Sequence, residues 1–299
     1  MRVIVAGLGV QGVKRRAVAG KSVVAVVDPV HAEATHRAVA DVPLDSFDAA
    51  LVCTPDNVKL ELLTHLLGAG KHVLVEKPLI SANAKDLAKL AGIARAKRVT
   101  CYTAYNHRFE PGIARMKREI ESGKLGAIYS VRMFYGNGTA RQVRDSVWRD
   151  AGIGVLHDLG SHLLDMALYF FGELPSRFEL YQAKRFENRA YDHVVFGADA
   201  LPALQMEVSL MSWRNTFTVD VLAERGSVHV NSLCKWGPAT FTLRDRKLPS
   251  GRPDEENASW AQPDPTWELE YRHFKSLCET GASNIDNDIR INSILNGLA

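Results

Sequence analysis

The first third of the chain alternates between two hydrophobic periods, and this alternation constrains the fold more than any other feature. Five short apolar runs are typical of strands buried on both faces, at residues 3–6, 23–27, 50–53, 73–75 and 99–102. Between them, residues 58–69 and 82–96 have the apolar spacing of helices. Strands and helices in alternation favour a parallel sheet with right-handed crossovers. We therefore predict an α/β domain over residues 1–110, built on a doubly wound parallel sheet.

Residues 111–299 have a different pattern. Residues 177–243 alternate apolar and polar side chains with period two, which is typical of a sheet with one buried face, usually antiparallel. The other predicted elements are helices at 111–122, 155–171, 267–280 and 288–298, a strand at 128–135, and loops at 136–154 and 249–265. The sequence thus predicts a C-terminal α+β domain with a large open, mostly antiparallel sheet.

Charge and cysteine usage limit the classes of partner and the cellular location that we expect. Lys and Arg outnumber Asp and Glu by only 37 to 34, which gives no reason to propose nucleic acid or a membrane as a partner. The four cysteines lie far apart, so no pair has the spacing of a zinc site or a redox motif. We see no leader sequence and no apolar stretch that could span a bilayer. A reducing cytoplasm is therefore the expected location.

The turn after the first predicted strand has glycines at the spacing of a phosphate-binding loop. Gly7 permits a tight turn, Gly9 lets a pyrophosphate approach the backbone, and Gly12 lets helix and strand pack closely. The helix that begins at Val10 and Gln11 is expected to present free N–H groups to the phosphates. This turn predicts a dinucleotide site.

Asp28 ends the second predicted strand, about twenty residues after the glycines, where an acid binds the adenosine ribose of a dinucleotide. A carboxylate there favours NAD because it repels a 2′-phosphate, and no arginine follows at Pro29 or Val30 to hold one. The alternative is that Asp28 only caps the next helix. We predict NAD as the coenzyme, with NADP not excluded.

Lys77 follows the buried run 73–75, in the sequence Glu76-Lys77-Pro78. A lysine beside an apolar core must keep its ammonium solvated or paired, and ligands lie at the carboxyl ends of parallel strands. We predict that Lys77 is a cation or proton carrier beside the coenzyme, and that Glu76 either pairs with it or contacts the nicotinamide ribose. The alternative is a surface lysine at a strand end.

Asp158, His162 and Asp165 lie at i, i+4 and i+7 of the predicted helix 155–171, so we expect them to share one face. A carboxylate one turn from an imidazole orients it and raises its basicity. We predict that His162 is a proton-transfer residue, with Asp158 as its partner and Gly160 leaving the surface open to a ligand. The alternatives are a histidine buried in the core, and a zinc site, which one histidine without a nearby cysteine disfavours. No metal is predicted.

Several motifs, taken in order, resemble those of the Gfo/Idh/MocA oxidoreductases and cover nearly the whole chain. They are the glycine turn, Thr54-Pro55, Ala69-Gly70-Lys71-His72-Val73 with Glu76-Lys77-Pro78, Tyr105-Asn106-His107-Arg108-Phe109, and Asp158-x-Gly160-x-His162-x-x-Asp165. Lys59 is a departure, because it stands where that family often has a histidine.

The resemblance implies a dinucleotide-binding Rossmann domain at residues 1–110 and a domain for substrate binding and oligomerisation at residues 111–299. It implies NAD(P)-linked oxidation or reduction of a CH–OH group in a sugar, cyclitol or sugar nucleotide. The matching Lys77 contacts coenzyme and substrate, its peptide bond to Pro78 is typically cis, and His162 is commonly the proton-transfer residue. A homodimer or homotetramer through the C-terminal sheet is expected.

Further residues are predicted at the two binding sites. Those expected on the coenzyme, besides the glycine turn, Asp28 and Lys77, are Thr54, Pro55, Glu76 and Asn106. Those expected on the substrate are Lys77, Arg108, Trp148, Arg149, Asp158 and His162. Arg108 could instead form an ion pair between the domains, and the loop with Arg141, Arg144 and Arg149 could simply be solvated. Lys59, His107, Tyr135 and His157 are candidates without an assigned role.

Two other functions stay open. One is an NAD-binding sensor or regulatory protein that has lost turnover, although the retained Lys77, Asp158 and His162 count against it. The other is a redox-assisted lyase or glycosidase that regenerates its own NAD.

Overall fold

The structure is a computed structural model that describes residues 1–146 and 149–299. Its strands are β1 (Val3–Ala6), β2 (Val23–Val27), β3 (Ala49–Val52), β4 (His72–Glu76), β5 (Cys101–Ala104), β6 (Ile128–Gly136), β7 (Glu179–Lys184), β8 (His193–Ala198), β9 (Ala203–Ser209), β10 (Thr216–Ala223), β11 (Gly226–Asn231), β12 (Ala239–Asp245) and β13 (Asp254–Trp260). Its α-helices are α1 (Val10–Ala19), α2 (Asp56–Gly68), α3 (Ala84–Lys97), α4 (Pro111–Glu121), α5 (Ala140–Arg144), α6 (Ser161–Phe171), α7 (Thr266–Thr280) and α8 (Ile285–Gly297). None of the helices in these two ranges combines the length and apolar character that crossing a bilayer requires.

The chain forms two compact units. The first contains residues 1–106 and 266–293, and the second contains residues 107–265 and 294–299.

The first unit is built on a parallel sheet in the order β2-β1-β3-β4-β5. Its strands are apolar on both faces because each face packs in a separate core. In β1, Ile4 and Ala6 belong to one core, and Val3 and Val5 belong to the other. The predicted doubly wound parallel sheet is confirmed.

Two helices from the end of the sequence complete this unit. Tyr271 and Phe274 of α7 belong to the core that contains Val3 and Val5, and Ile285 at the start of α8 belongs to the other. The predicted division into 1–110 and 111–299 differs from this partition, because the buried side chains of these helices pack on the parallel sheet. The roles of the two domains in binding coenzyme and substrate stay predictions.

The second unit contains an open eight-stranded sheet in the order β13-β12-β11-β10-β6-β9-β8-β7. All neighbours in it are antiparallel except β6 and β9. Val219 and Val221 of β10 are fully buried, whereas Thr218 and Asp220 between them are partly exposed. This alternation confirms the predicted sheet with one buried face, and helix α4 packs against β11 and β12.

Three local predictions were wrong. Residues 136–154 were expected to form a loop, but Ala140–Arg144 is the short helix α5. Residues 249–265 were expected to form a loop, but Asp254–Trp260 is the edge strand β13, which pairs along its length with β12. Its charged and polar composition conceals it, since an edge strand needs little burial. Residues 155–171 were expected to form one regular helix, but Leu156–Gly160 form a π-helical turn before α6 begins at Ser161.

Candidate functional site

The glycine turn lies between β1 and α1. Gly7 has a φ of +93°, and a Cβ on it would lie 2.6 Å from the carbonyl oxygen of Cys53. A Cβ on Gly12 would lie 1.8 Å from the carbonyl oxygen of Gly7. Both positions therefore require glycine for the fold itself, as the predicted close approach of helix and strand demands.

Gly9 is different, because neither its backbone nor its packing requires glycine. Its φ is −65°, which any residue adopts, and a Cβ there would meet no described atom within 4 Å. It precedes α1, whose first turn has no acidic residue and no side-chain cap, so the N–H groups of the first turn are left for another acceptor. A dinucleotide pyrophosphate against Gly9, Val10 and Gln11 fits this arrangement.

Asp28 follows β2 and faces the glycine turn. Its Oδ2 accepts a hydrogen bond from Leu8 N at 2.8 Å, and its Oδ1 accepts from Val30 N and His31 N at 3.0 and 2.9 Å. Desolvation pushes the pKa of Asp28 upward, but these backbone bonds outweigh it and lower the pKa. The residue therefore shapes the turn as well as presenting a negative charge beside it.

Thr54 follows β3, and Pro55 precedes the first turn of α2. The hydroxyl oxygen of Thr54 is buried and has no hydrogen-bond partner among residues 1–146 and 149–299. A buried hydroxyl ordinarily has a partner. Thr54 is next to the glycine turn, because its backbone N lies 3.3 Å from where a Cβ of Gly7 would be. A coenzyme group would fit as its partner.

Lys77 directly follows β4, is partly buried, and is joined to Pro78 by a cis peptide bond, as the resemblance implied. Glu76, the last residue of the strand, accepts a hydrogen bond from Arg15 Nε at 2.6 Å. The carboxylate of Glu76 therefore forms an ion pair with Arg15. The coenzyme contacts predicted for Glu76 and Lys77 stay predictions.

Arg15 is a residue that the sequence reasoning missed. It lies on α1 with 1% of its surface exposed, and its Nη2 also donates to Glu270 Oε2 of α7 at 2.7 Å. Its guanidinium lies over the ring of Trp267, 4.3 Å from the ring centroid. Burial disfavours the charge, but Glu270 and Glu76 outweigh it and raise the pKa of Arg15. No local signal could have identified this cation, because Glu270 is 255 residues away.

In the second unit, His162 lies in the first turn of α6 and is buried. Its ring stacks on that of His107, with centroids 4.2 Å apart and planes inclined by 15°. Tyr135 of β6 contacts both rings, at centroid distances of 5.7 and 5.3 Å. Lys235 Nζ lies 3.4 Å from His107 Nε2. Of these neighbours, the sequence reasoning had considered His107 and Tyr135 only as candidates and had missed Lys235.

Asp158 lies in the π-helical turn, and its Oδ2 is 3.4 Å from Arg149 Nη2. The argument that Asp158 and His162 share one face assumed a regular helix, and the wider turn removes that basis. Gly160 does not leave a surface open, as had been expected. A Cβ there would lie 2.8 Å from Leu156 Cδ1, so the glycine permits packing inside the second unit. Trp148, predicted next to Arg149 on the substrate, lies outside the described residues.

Arg108 forms an ion pair with Asp165 of α6, donating from Nε to Oδ2 at 2.7 Å and from Nη2 to Oδ1. Burial raises the pKa of Asp165, and Arg108 opposes that rise. The ion pair is the alternative considered for Arg108, although both residues belong to the second unit. Asn106, predicted on the coenzyme, donates from Nδ2 to Thr266 Oγ1 at 2.7 Å.

Two models of known protein families match this chain, one in its N-terminal part and one in its C-terminal part. Residues 3–105 match an oxidoreductase family with an NAD-binding Rossmann fold. Residues 113–229 match the GFO/IDH/MocA C-terminal domain. The two matches follow in the order that the motifs predicted.

Individual relatives are similar over part of the sequence. Levoglucosan dehydrogenase of Pseudarthrobacter phenanthrenivorans is 32% identical over 130 residues, which are 42% of this chain and 33% of that protein. Myo-inositol 2-dehydrogenase of Thermotoga maritima is 33% identical over 126 residues, which are 42% of this chain and 36% of that protein. The chain thus spans about a third of the length of these curated relatives.

Solved structures share the fold over nearly all of the chain. A levoglucosan dehydrogenase in complex with NADH superposes with a TM-score of 0.82 at 18% identity, covering 98% of this chain and 94% of that one. With both domain models matched in sequence and the two-sheet architecture present, the chain belongs to the Gfo/Idh/MocA family of oxidoreductases.

Proposed function

We propose that this protein is an NAD(P)-dependent dehydrogenase or reductase that acts on the secondary alcohol or ketone of a sugar, cyclitol or sugar nucleotide. Membership of an oxidoreductase family supports the reaction class, and the relatives named for levoglucosan and myo-inositol support a carbohydrate-like substrate. NAD is the proposed coenzyme, because the charged carboxylate of Asp28 next to the glycine turn disfavours a 2′-phosphate.

The observation that carries the proposal is the open space at Gly9. Two of the three glycines are required by the protein's own atoms, and Gly9 is not. Glycine at this position is explained by a ligand that approaches the backbone, next to the N–H groups that begin α1. The proposed coenzyme contacts are the glycine turn, Asp28, Thr54, Pro55, Glu76, Lys77 and Asn106.

The proposed chemistry uses two proton-carrying groups. A bound nicotinamide would supply the hydride acceptor. His162 would take the hydroxyl proton of the alcohol at a ring nitrogen, and the ammonium of Lys77 would donate a hydrogen bond to a substrate oxygen and stabilise developing negative charge. Asp158, which pairs with Arg149, is the proposed catalytic partner of His162. Arg108, Trp148 and Arg149 are the further proposed substrate contacts.

The first test is binding and turnover with the wild-type protein. Calorimetry with NAD and NADP is expected to show tighter binding of NAD. Reduced nicotinamide is then followed by absorbance with levoglucosan, myo-inositol, scyllo-inositol and UDP-N-acetylglucosamine. Tight NAD binding without turnover or product would favour the sensor, product without net NADH would favour the lyase, and no dinucleotide binding would overturn the proposal.

The second test separates the roles of the residues. Lys77→Ala and His162→Ala are each expected to lower kcat by about 10²–10⁴-fold, the usual contribution of a positioned acid or base, while NAD still binds. Lys71→Ala, at the other end of β4, is the control for Lys77→Ala. His229→Ala, on the second sheet, is the control for His162→Ala. Both controls are expected to retain turnover. Wild-type turnover in both Lys77→Ala and His162→Ala would exclude this mechanism.

We also propose a homodimer or homotetramer through the second sheet. Leu180, Tyr181 and Leu222 are exposed apolar side chains on its strands. Light scattering of the wild type and of Tyr181→Glu would test this, since a monomeric wild type contradicts it.

A further inference from the structure

Lys59 of α2 is a buried cation whose hydrogen-bonding capacity is filled by the protein. Only 3% of its surface is exposed. Its Nζ lies 2.7 Å from the carbonyl oxygen of Glu76, 2.9 Å from that of Pro78, and 2.6 Å from Asp56 Oδ1. An ammonium group has three donors, and here it meets three acceptors. The ammonium of Lys59 is therefore committed to these contacts.

The two carbonyl oxygens bracket Lys77. The pairing of β4 with its neighbour ends where Glu76 faces Ala104 of β5, and Pro78 has no N–H with which to continue a ladder. Lys59 thus holds the backbone on both sides of Lys77 just beyond the end of the sheet. On the strand side, Arg15 holds the carboxylate of Glu76, so two buried cations fix this residue by its side chain and by its carbonyl group.

We propose that Lys59 is a positioning residue for Lys77: its ammonium fixes the peptide groups on either side and thereby the direction in which the Lys77 side chain leaves the backbone. This inference rests on the proposed function, in which Lys77 contacts the substrate oxygen. An imidazole has fewer donors than an ammonium and cannot reproduce all three contacts.

The matched control is Lys71 at the opposite end of β4. Its Nζ donates to the carbonyl oxygen of Phe47 at 2.9 Å, so it is another amine that holds a backbone carbonyl in the same unit. Lys59→Met and Lys71→Met remove the same chemistry with similar loss of volume. Only Lys59→Met removes it beside Lys77.

The test is a double-mutant cycle on kcat, with NAD affinity and thermal unfolding measured in parallel. Lys59→Met is expected to lower kcat by up to about 10²-fold, as a small misplacement of a catalytic group does, with the Kd for NAD nearly unchanged. Lys71→Met is expected to change stability but not kcat. Lys59→His is expected to recover part of the lost kcat, because it restores one donor. Lys59→Met/Lys77→Ala is expected to be no slower than Lys77→Ala, because residues that act as one unit are not additive.

The outcomes separate this inference from the proposed function. If Lys77→Ala turns over normally, the proposed function fails. If Lys77→Ala is impaired but Lys59→Met is not, or if their losses multiply, only the positioning role is overturned. If no substrate is found, crystal structures of the wild type and Lys59→Met decide, since an unmoved Lys77 side chain in the variant overturns the proposal and a displaced one supports it.

Discussion

The imidazole rings of His107 and His162 are stacked, with centroids 4.2 Å apart and planes inclined by 15°. His107 is also close to Lys235, whose Nζ is 3.4 Å from its Nε2. Since a stacked neighbour limits the rotation of a ring, the orientation of His162 depends on the residue at position 107. We therefore expect His107 to act as a positioning residue in the proposed reaction.

We expect His107→Ala to lower kcat by about tenfold, the equivalent of the upper end of what an aromatic pair contributes. His107→Phe keeps a flat ring on His162 but loses the contact with Lys235, so it is expected to lose much less activity. Steady-state kinetics of both variants check this. Equal losses in the two would show that the contact with Lys235 matters and the stacking does not.

Gly9 and Gly12 of the first turn are expected to respond differently to alanine. Gly12→Ala places a Cβ 1.8 Å from a carbonyl oxygen, so it should lower the melting temperature strongly. Gly9→Ala meets no described atom within 4 Å and should leave the melting temperature nearly unchanged while weakening NAD binding. Calorimetry of both variants separates the two effects, and unchanged NAD affinity in Gly9→Ala would contradict the coenzyme site.

Removing the charge of Asp28 is expected to relax the choice of coenzyme. Asp28→Asn keeps an oxygen acceptor for Leu8 N but no longer repels a 2′-phosphate, so the ratio of NAD to NADP affinity should fall by about tenfold. Asp28→Ala also removes the three backbone bonds and is expected to destabilise the turn as well. The Kd values for both dinucleotides check this, and an unchanged ratio would show that Asp28 acts only as a cap.

Arg15 is buried and its neighbour Arg16 on α1 is exposed, so their substitution should destabilise the fold to very different extents. Arg15→Met leaves Glu270 buried without its cation and is expected to cost about 3–5 kcal/mol in the free energy of unfolding. Arg16→Met removes an exposed pair with Glu33 and is expected to cost about 1 kcal/mol or less. Urea denaturation measures both. Adding Glu270→Met to Arg15→Met should recover part of the loss, and similar small losses in both single variants would contradict the importance of the buried pair.

The pair between Arg2 and Asp48 is expected to stabilise the fold only above acidic pH. A side-chain hydrogen bond from Arg2 lowers the pKa of Asp48 from 3.8 to about 2. The stabilisation is therefore fully present above pH 3.8 and disappears as the pH falls to about 2. Because the side chains are 52% and 41% exposed, the effect should be small and weakened by salt.

Denaturation of wild type and Asp48→Asn at several pH values checks this. The difference between the two proteins should vanish in acid. A difference that persists below pH 2 would contradict the assignment.

Much of the fold was predictable because its signal is local in sequence. Strands buried on both faces have continuous apolar runs, and the glycine turn with Asp28 is a short-range pattern, so the parallel sheet and the position of this turn could be predicted from the residues alone. The family motifs led in the same way to His162, Lys77 and Asp158, whose roles stay predictions.

What could not be predicted depends on contacts distant in sequence or on weak local preferences. Arg15 has no signal until Glu270 is placed beside it. The edge strand β13 carries charged residues because it has a neighbour on one side only. The π-helical turn at Leu156–Gly160 has the composition of an ordinary helix, so the side-chain directions of Asp158 and His162 could not be predicted from the sequence.

The helices α7 and α8 have a consequence for how the protein is made. A ribosome delivers residues 1–106 long before residues 266–293, yet Tyr271, Phe274 and Ile285 fill the cores around the first sheet and Glu270 neutralises Arg15. During synthesis, part of the apolar surface of the first sheet therefore stays exposed until residues 107–265 of the second unit have been translated. A fragment that ends at residue 110 would keep every residue of the glycine turn, but it would lack the side chains of α7 and α8 that complete the cores of the first sheet.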